Sequence, residues 1–136
     1  MIYQLAAALR WKLRGDLGRR GEDLAHGYLR RRKYLIVARN YRSSTGSPGE
    51  IDIIAREGQQ LVFVEVKTRA SDAVSFPERA VDDAKQRHIL RTARDYARRA
   101  NVEWSEVRFD IIAITGIKRP VINHLKDAFS EAMRVD

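Results

Sequence analysis

Gly49-Glu50-Ile51-Asp52-Ile53-Ile54-Ala55 and Leu61-Val62-Phe63-Val64-Glu65-Val66-Lys67 are two short segments rich in β-branched residues. Both carry acids where a buried strand should have none. The connection Arg56-Glu57-Gly58-Gln59-Gln60 is short, polar and contains Gly, which predicts an antiparallel β-hairpin. Side chains alternate along a strand, so Glu50, Asp52 and Ile54 should share one face, and Leu61, Phe63, Glu65 and Lys67 one face. Closing the hairpin through a short loop sets Arg56 opposite Leu61, Asp52 opposite Glu65 and Glu50 opposite Lys67. Two facing carboxylates repel unless a cation sits between them. The rest of the chain reads as support for that cation and for what it acts on.

With 136 residues, the chain is long enough for one domain with its own core and needs no staples. There is no Cys, which excludes a disulfide framework and thiolate metal sites and fits the reducing cytoplasm. The net charge of +8 points to a polyanionic partner, nucleic acid before a membrane surface. That charge is uneven. Residues 10–42 hold 11 Lys or Arg against 3 acids, whereas residues 43–84, around the hairpin, hold 8 acids against 4 bases. An acidic patch between basic segments is what a site for metal and phosphate needs.

Ile2, Leu5, Ala6, Leu9 and Leu13 recur at helical period. Arg10, Lys12 and Arg14 interrupt that run far short of a membrane span, and the charges follow the apolar run, unlike a signal peptide. Residues 1–17 are read as an appended helix, and residues 18–136 as a single α/β domain. A second helix is expected from about Gly18 to Arg32, with Leu24, Ala25, Tyr28 and Leu29 toward the core and Glu22 at the edge of that face. A strand follows at Tyr34–Ala38, then Arg39–Arg42 and the turn Ser43–Gly49. After the hairpin come a polar loop at Thr68–Ser75 and a long helix opened by Pro77 and running to about Ala100. Val81, Ala84, Ile89, Ala93, Tyr96 and Ala97 form its core stripe. Strands at Val107–Thr115 and Val121–Leu125 follow, and Asp127–Asp136 is a short helix or a frayed tail. The order predicts an α/β sandwich around one mixed sheet of about five strands.

Carboxylates on a sheet edge suit Mg²⁺ or Mn²⁺, hard ions that prefer oxygen ligands. A lysine two residues from a carboxylate projects from the same strand face. There it can orient the water that attacks a phosphodiester, or offset transition-state charge. Asp52, Glu65 and Lys67 therefore belong together, with Glu22 as a further ligand from the adjacent helix. The phosphate contacts are expected from Arg19, Arg20 and Arg42, from Arg69 beyond the second acid strand, and from Lys85, Arg91 and Arg94 on the long helix. Competing chemistries find no support. His26, His88 and His124 have no metal-ligand spacing, and there is no Gly-rich phosphate loop and no Gly-x-Ser-x-Gly.

Asp52 followed, after twelve residues, by Glu65-Val66-Lys67 resembles the PD-(D/E)xK nuclease signature, with Ile51 in place of the usual Pro. Gly21-Glu22-Asp23-Leu24-Ala25, Ala84-Lys85-Gln86-Arg87 and Arg108-Phe109-Asp110 extend the likeness. Over roughly residues 18–129 the chain resembles the YraN-like family, an uncharacterised bacterial group related to archaeal Holliday-junction resolvases. That resemblance implies a restriction-endonuclease-like sandwich. It also implies a nuclease site of Glu22, Asp52, Glu65 and Lys67, with Gln86 matching a glutamine found near the site in related nucleases. It further implies a magnesium-dependent endonuclease acting on branched or structured DNA, working as a homodimer if it follows the resolvases. The alternative is a nucleic-acid-binding or assembly module that keeps the fold without catalysis.

Overall fold

Leu61–Val64 and Ile111–Ile114 are apolar at every position. A strand with no polar face must lie inside a sheet covered on both sides. In the computed structural model these runs sit in the third and fourth of five strands. The structure describes residues 2–44, 46, 48–70, 83–116 and 118–129, with side chains from Leu17 onward. In chain order these residues form α1 (Ile2–Arg31), β1 (Leu35–Arg42), β2 (Glu50–Glu57), β3 (Gln60–Arg69), α2 (Asp83–Arg99), β4 (Val107–Thr115) and β5 (Val121–Leu125).

The strands lie in sequence order, β1-β2-β3-β4-β5. All neighbours are antiparallel except β3 and β4, which run parallel. A parallel pair needs a long crossover, and α2 lies in it. Ile89, Leu90, Ala93 and Ala97 of α2 pack on Ile54, Leu61, Phe63, Phe109 and Ile111. On the opposite face Ala25 and Leu29 of α1 pack on Ile53, Ala55, Val62, Val64, Ile112 and Ile114. The result is a mixed five-stranded sheet flanked by two helices, an α/β fold consistent with a restriction-endonuclease-like sandwich.

The hairpin has the expected register only as far as Ile53–Val64, and the expected facing pairs Asp52–Glu65 and Glu50–Lys67 are not part of the ladder. Arg56 faces Leu61, and the ladder continues through Ala55–Val62 and Ile54–Phe63 to Ile53–Val64. Other elements differ from their sequence reading. The two helices expected on either side of residue 17 are one continuous helix, since glycine lowers helix propensity by about 1 kcal/mol per residue without breaking the helix as proline does. The first strand does not stop at Ala38 but continues through Arg42, paired to β2 with a register shift between Ile36 and Ala38. Ala84, expected in the core stripe of α2, is exposed, and Leu90 is buried instead. The expected helix start at Pro77, Val81, most of the Thr68–Ser75 loop and residues 130–136 lie outside the described residues. Just before that tail the chain docks on β4 without forming a helix. The Ala128 amide donates to the Phe109 carbonyl at 2.7 Å, and Phe129 stacks on Phe109 at 5.0 Å.

Candidate metal-binding active site

The site begins where the hairpin stops being a hairpin. Beyond Ile53–Val64 the β2–β3 ladder ends, although β3 stays paired to β4 as far as Arg69–Thr115. In place of a strand–strand bond, the Val66 amide donates to Asp52 Oδ2 at 2.8 Å. The facing alternation breaks at the same level. Ile51 and Ile54 both pack under α2, while Ile53, between them, packs under α1. Glu50, Asp52 and Ile54 therefore do not form one simple face. In β1, opposite this point, Asn40 takes a φ of 52°, a left-handed conformation that Asn tolerates better than most residues.

Two glycines bring the neighbouring elements close. A Cβ on Gly21 would lie 1.9 Å from Thr68 Oγ1, so α1 rests directly on the end of β3. Gly49, at a φ of +124°, brings the start of β2 against His88 and Thr92 of α2, where a Cβ would lie 3.0 Å from His88 Cβ. Through these approaches α1 delivers Glu22 and α2 delivers Lys85 to one cavity of about 300 Å³. Its walls also include Asp52, Glu65, Lys67 and Thr68.

Three carboxylates, those of Glu22, Glu50 and Asp52, place an oxygen each within 4.8 Å of one another. Asn40 ties two of them together, donating to Glu22 Oε2 at 3.1 Å and to Glu50 Oε1 at 2.9 Å. Arg39 approaches Glu22 at 3.5 Å and Arg42 approaches Glu50 at 2.9 Å. Glu65 lies in the same cavity but outside this trio. Its carboxylate is 4% exposed and is held by the Lys85 ammonium, with Lys67 Nζ 3.8 Å away. The expected ligand set of Glu22, Asp52 and Glu65 thus shares one cavity, and Glu50 stands nearer to the first two than the sequence suggested.

Crowding shows in the protonation equilibria. Burial, and then the charge of Glu65, push the Asp52 carboxyl up to about 8, against the opposing bond from the Val66 amide. Burial, and then the neighbouring Lys85, pull the Lys67 ammonium below the ordinary lysine range. Burial acts on Lys85 in the same sense, but its bond to Glu65 outweighs that and leaves it raised. An all-oxygen donor set, one member of which is kept from ionising by its neighbours, fits a hard divalent cation.

Gln86 is half-buried next to Lys85 on α2 but is not among the residues lining the cavity. Arg19 and Arg20 are exposed on α1, in the turn between the cavity-lining Gly18 and Glu22 but not themselves in the lining, and Arg69 ends β3 two residues past Lys67. Arg91 and Arg94 are exposed on α2, with the Arg94 guanidinium 5.2 Å from the centre of the Trp104 ring. The sequence reading gave Lys85 a phosphate contact. It passed over Asn40, whose role depends on a backbone angle that no residue pattern shows.

A second polar cluster, at the other end of the sheet, was also missed. Arg108 Nε and a terminal nitrogen donate to both oxygens of the fully buried Asp110, each at 2.9 Å. The other terminal nitrogen donates to Glu57 and Gln60 at 2.7 Å each, and Tyr34 adds a contact at 2.9 Å. His124 Nε2 meets Asp110 at 2.7 Å, with its other ring nitrogen 3.2 Å from the Tyr28 hydroxyl. Burial alone would raise the Asp110 carboxyl. Bonds from His124, Arg108 and the Asp127 amide outweigh it and hold the group below the usual range. The legible signal was Arg108-x-Asp110 on one strand face.

The model of the uncharacterised protein family UPF0102 matches residues 21–114. A UPF0102 protein of Solibacter usitatus is 47% identical over 130 residues, covering 95% of this chain and 98% of its own. One from Geobacter sulfurreducens is 46% identical over 118 residues, covering 85% and 90%. One from Rhodococcus opacus is 46% identical over 115 residues, covering 83% and 95%. The matched span runs from Gly21 to Ile114 and so includes Glu22, Asn40, Glu50, Asp52, Glu65, Lys67 and Lys85.

Proposed function

The chain belongs to the uncharacterised family UPF0102, and from that premise we propose that it is a metal-dependent nuclease of the PD-(D/E)xK kind. One observation carries the reading. The β2–β3 ladder opens at Asp52, and α1, β2, β3 and α2 deliver four carboxylates and two lysines to that opening. A hairpin built only for stability would close this gap with strand bonds and hydrophobic side chains.

In this reading Asp52, Glu22 and Glu65 hold Mg²⁺ or Mn²⁺, Glu65 from the inner wall of the cavity, and Glu50 stands beside the first two as a further donor. The bound ion supplies a more acidic water and a counter-charge for the phosphate. Lys67, on the face of β3 that also carries Glu65, orients the attacking water and offsets charge as the phosphorus–oxygen bond breaks. Arg19, Arg20 and Arg69 flank the opening and meet the neighbouring phosphates. Arg91 and Arg94 extend the basic surface along α2, and Arg42 contacts phosphate once metal relieves it of Glu50. Gln86 acts from α2, beside Lys85 and outside the cavity's lining. The net charge of +8 supports a nucleic-acid partner, and the resemblance to junction resolvases favours branched or structured DNA over RNA, met in the cytoplasm. Cutting both strands of such a substrate calls for two sites, which a homodimer provides.

The test is a cleavage panel of branched, flapped, single- and double-stranded substrates with Mg²⁺ or Mn²⁺, followed by Lys67→Met. Met keeps the side chain's packing and removes its charge. Single-turnover cleavage should fall about a hundredfold or more while affinity is nearly kept, as for loss of a transition-state donor. A variant that cuts at the parental rate removes Lys67 from the mechanism. A parent that binds and never cuts with either metal makes the protein a binding module.

A further inference from the structure

Glu65 and Lys85 are unequal partners. The carboxylate is 4% exposed and the lysine side chain 39% exposed. Glu65 sits on β3, at the inner wall of the cavity, and Lys85 reaches it from the first turn of α2, in the layer across the opening. A carboxylate this buried needs a cation beside it. An ammonium on a flexible, partly exposed stem can leave for water, whereas the carboxylate cannot. The other lysine of the cavity, Lys67, stands 3.8 Å from the same oxygen, is less exposed at 28%, and belongs to the same strand as Glu65.

We propose that Lys85 is a tethered counter-ion, whose ammonium holds the divalent cation's place beside Glu65 in the metal-free protein and withdraws when that cation binds. The proposal rests on the metal-site reading above. Two consequences follow from charge alone. With Lys85 seated, the incoming ion meets two ammonium groups in one cavity and must displace one of them, so the lysine weakens metal binding. With no metal present, the same lysine offsets Glu65 and supports the fold. Lys85 is thus a positioning residue that favours the metal-free state, opposite in effect to the ligands.

The experiment is a calorimetric titration of the full chain with Mn²⁺ at fixed pH and salt. Lys85→Met keeps the stem and removes the charge, and should bind Mn²⁺ about tenfold more tightly than the parent, the scale for removing one nearby unit charge in partly screened surroundings. Its metal-free thermal midpoint should fall, and saturating Mn²⁺ should raise it by more than in the parent. Arg98→Met makes the same charge change on an exposed side chain about 20 Å further along α2, and should alter Mn²⁺ affinity by less than about twofold. Lys85→Arg keeps the charge and grips a carboxylate with two bonds, so it should bind Mn²⁺ more weakly than the parent; it serves if the Met variant does not fold. Equal or weaker Mn²⁺ binding by Lys85→Met, or binding by Lys85→Arg as tight as the parent's, overturns the counter-ion role and leaves the metal site standing. No Mn²⁺ binding by any folded form overturns the metal site and this role with it.

Discussion

The two ends of the sheet handle buried charge in opposite ways. At the end formed by the close of β2 and the start of β4, Asp110 is fully buried yet held below the usual carboxylate range by Arg108, His124 and the Asp127 amide. Arg108 in turn spends its donors on Asp110, Glu57, Gln60 and Tyr34. At the other end Asp52 is largely buried with one amide bond and three nearby acids, Glu22, Glu50 and Glu65, and burial and then the charge of Glu65 push its carboxyl up to about 8. Satisfied charge locks a structure, whereas a carboxyl buried among other acids without a counter-charge of its own carries a demand that a cation can meet. The contrast separates a structural network from a site within one small fold.

The largest expected effect breaks the satisfied end. Asp110→Asn leaves the Arg108 guanidinium, only 10% exposed, without its main counter-charge, and should lower unfolding stability by about 3 to 5 kcal/mol. Urea denaturation measures it. A loss under 1 kcal/mol would mean that Glu57 and Tyr34 alone suffice for Arg108, and the contrast between the ends would be weaker than the geometry implies.

The second effect has the opposite sign and sharpens the contrast. Because the folded protein holds the Asp52 proton up to about pH 8 while the unfolded chain releases it near 4, the folded state binds the extra proton between these values. Stability from this group is therefore full below pH 4 and falls as pH rises to 8. Asp110, with a depressed value, runs the other way and loses its contribution as pH falls through its folded-state range. Metal-free Asp52→Asn should thus gain on the parent as pH rises, reaching roughly 2 kcal/mol near pH 8 after allowance for relaxation. Mn²⁺ should stabilise the parent and not the variant. Denaturation at a series of pH values decides it, and a difference independent of pH would show that Asp52 is not under this strain.

The smallest effect concerns how the strained end is assembled. Gly21→Ala sets a Cβ against Thr68 Oγ1, and the strain outweighs the better helix propensity of Ala. A net loss of about 1 kcal/mol is expected, with weaker Mn²⁺ binding as Glu22 moves out with α1. Thr68→Ala in the same chain should recover most of both, since the clash is shared by the pair. Additive losses in that double-mutant cycle would place the contact elsewhere.

The hairpin register as far as Ile53–Val64, the buried central strands and the gathering of Asp52, Glu65 and Lys67 in one region were legible in the sequence, because period-two alternation and a short polar turn are local properties, whereas the strand pairing of Asp52 with Glu65 was not kept. Glu22 was legible at the edge of its helix's apolar face and as a further ligand from that helix, and Gly21 only as a resemblance, since nothing along a helix says which strand end it will touch. What the tertiary structure alone decided is which charges meet. Asn40 reaches Glu22 and Glu50 because of a left-handed backbone angle, and Lys85 reaches Glu65 from another layer, 20 residues away. Tyr28 and His124 meet across 96 residues. Sequence period determines the face a side chain occupies. The partner at its tip depends on how closely the layers approach, and here Gly21 and Gly49 set that closeness at points where a single methyl group would collide.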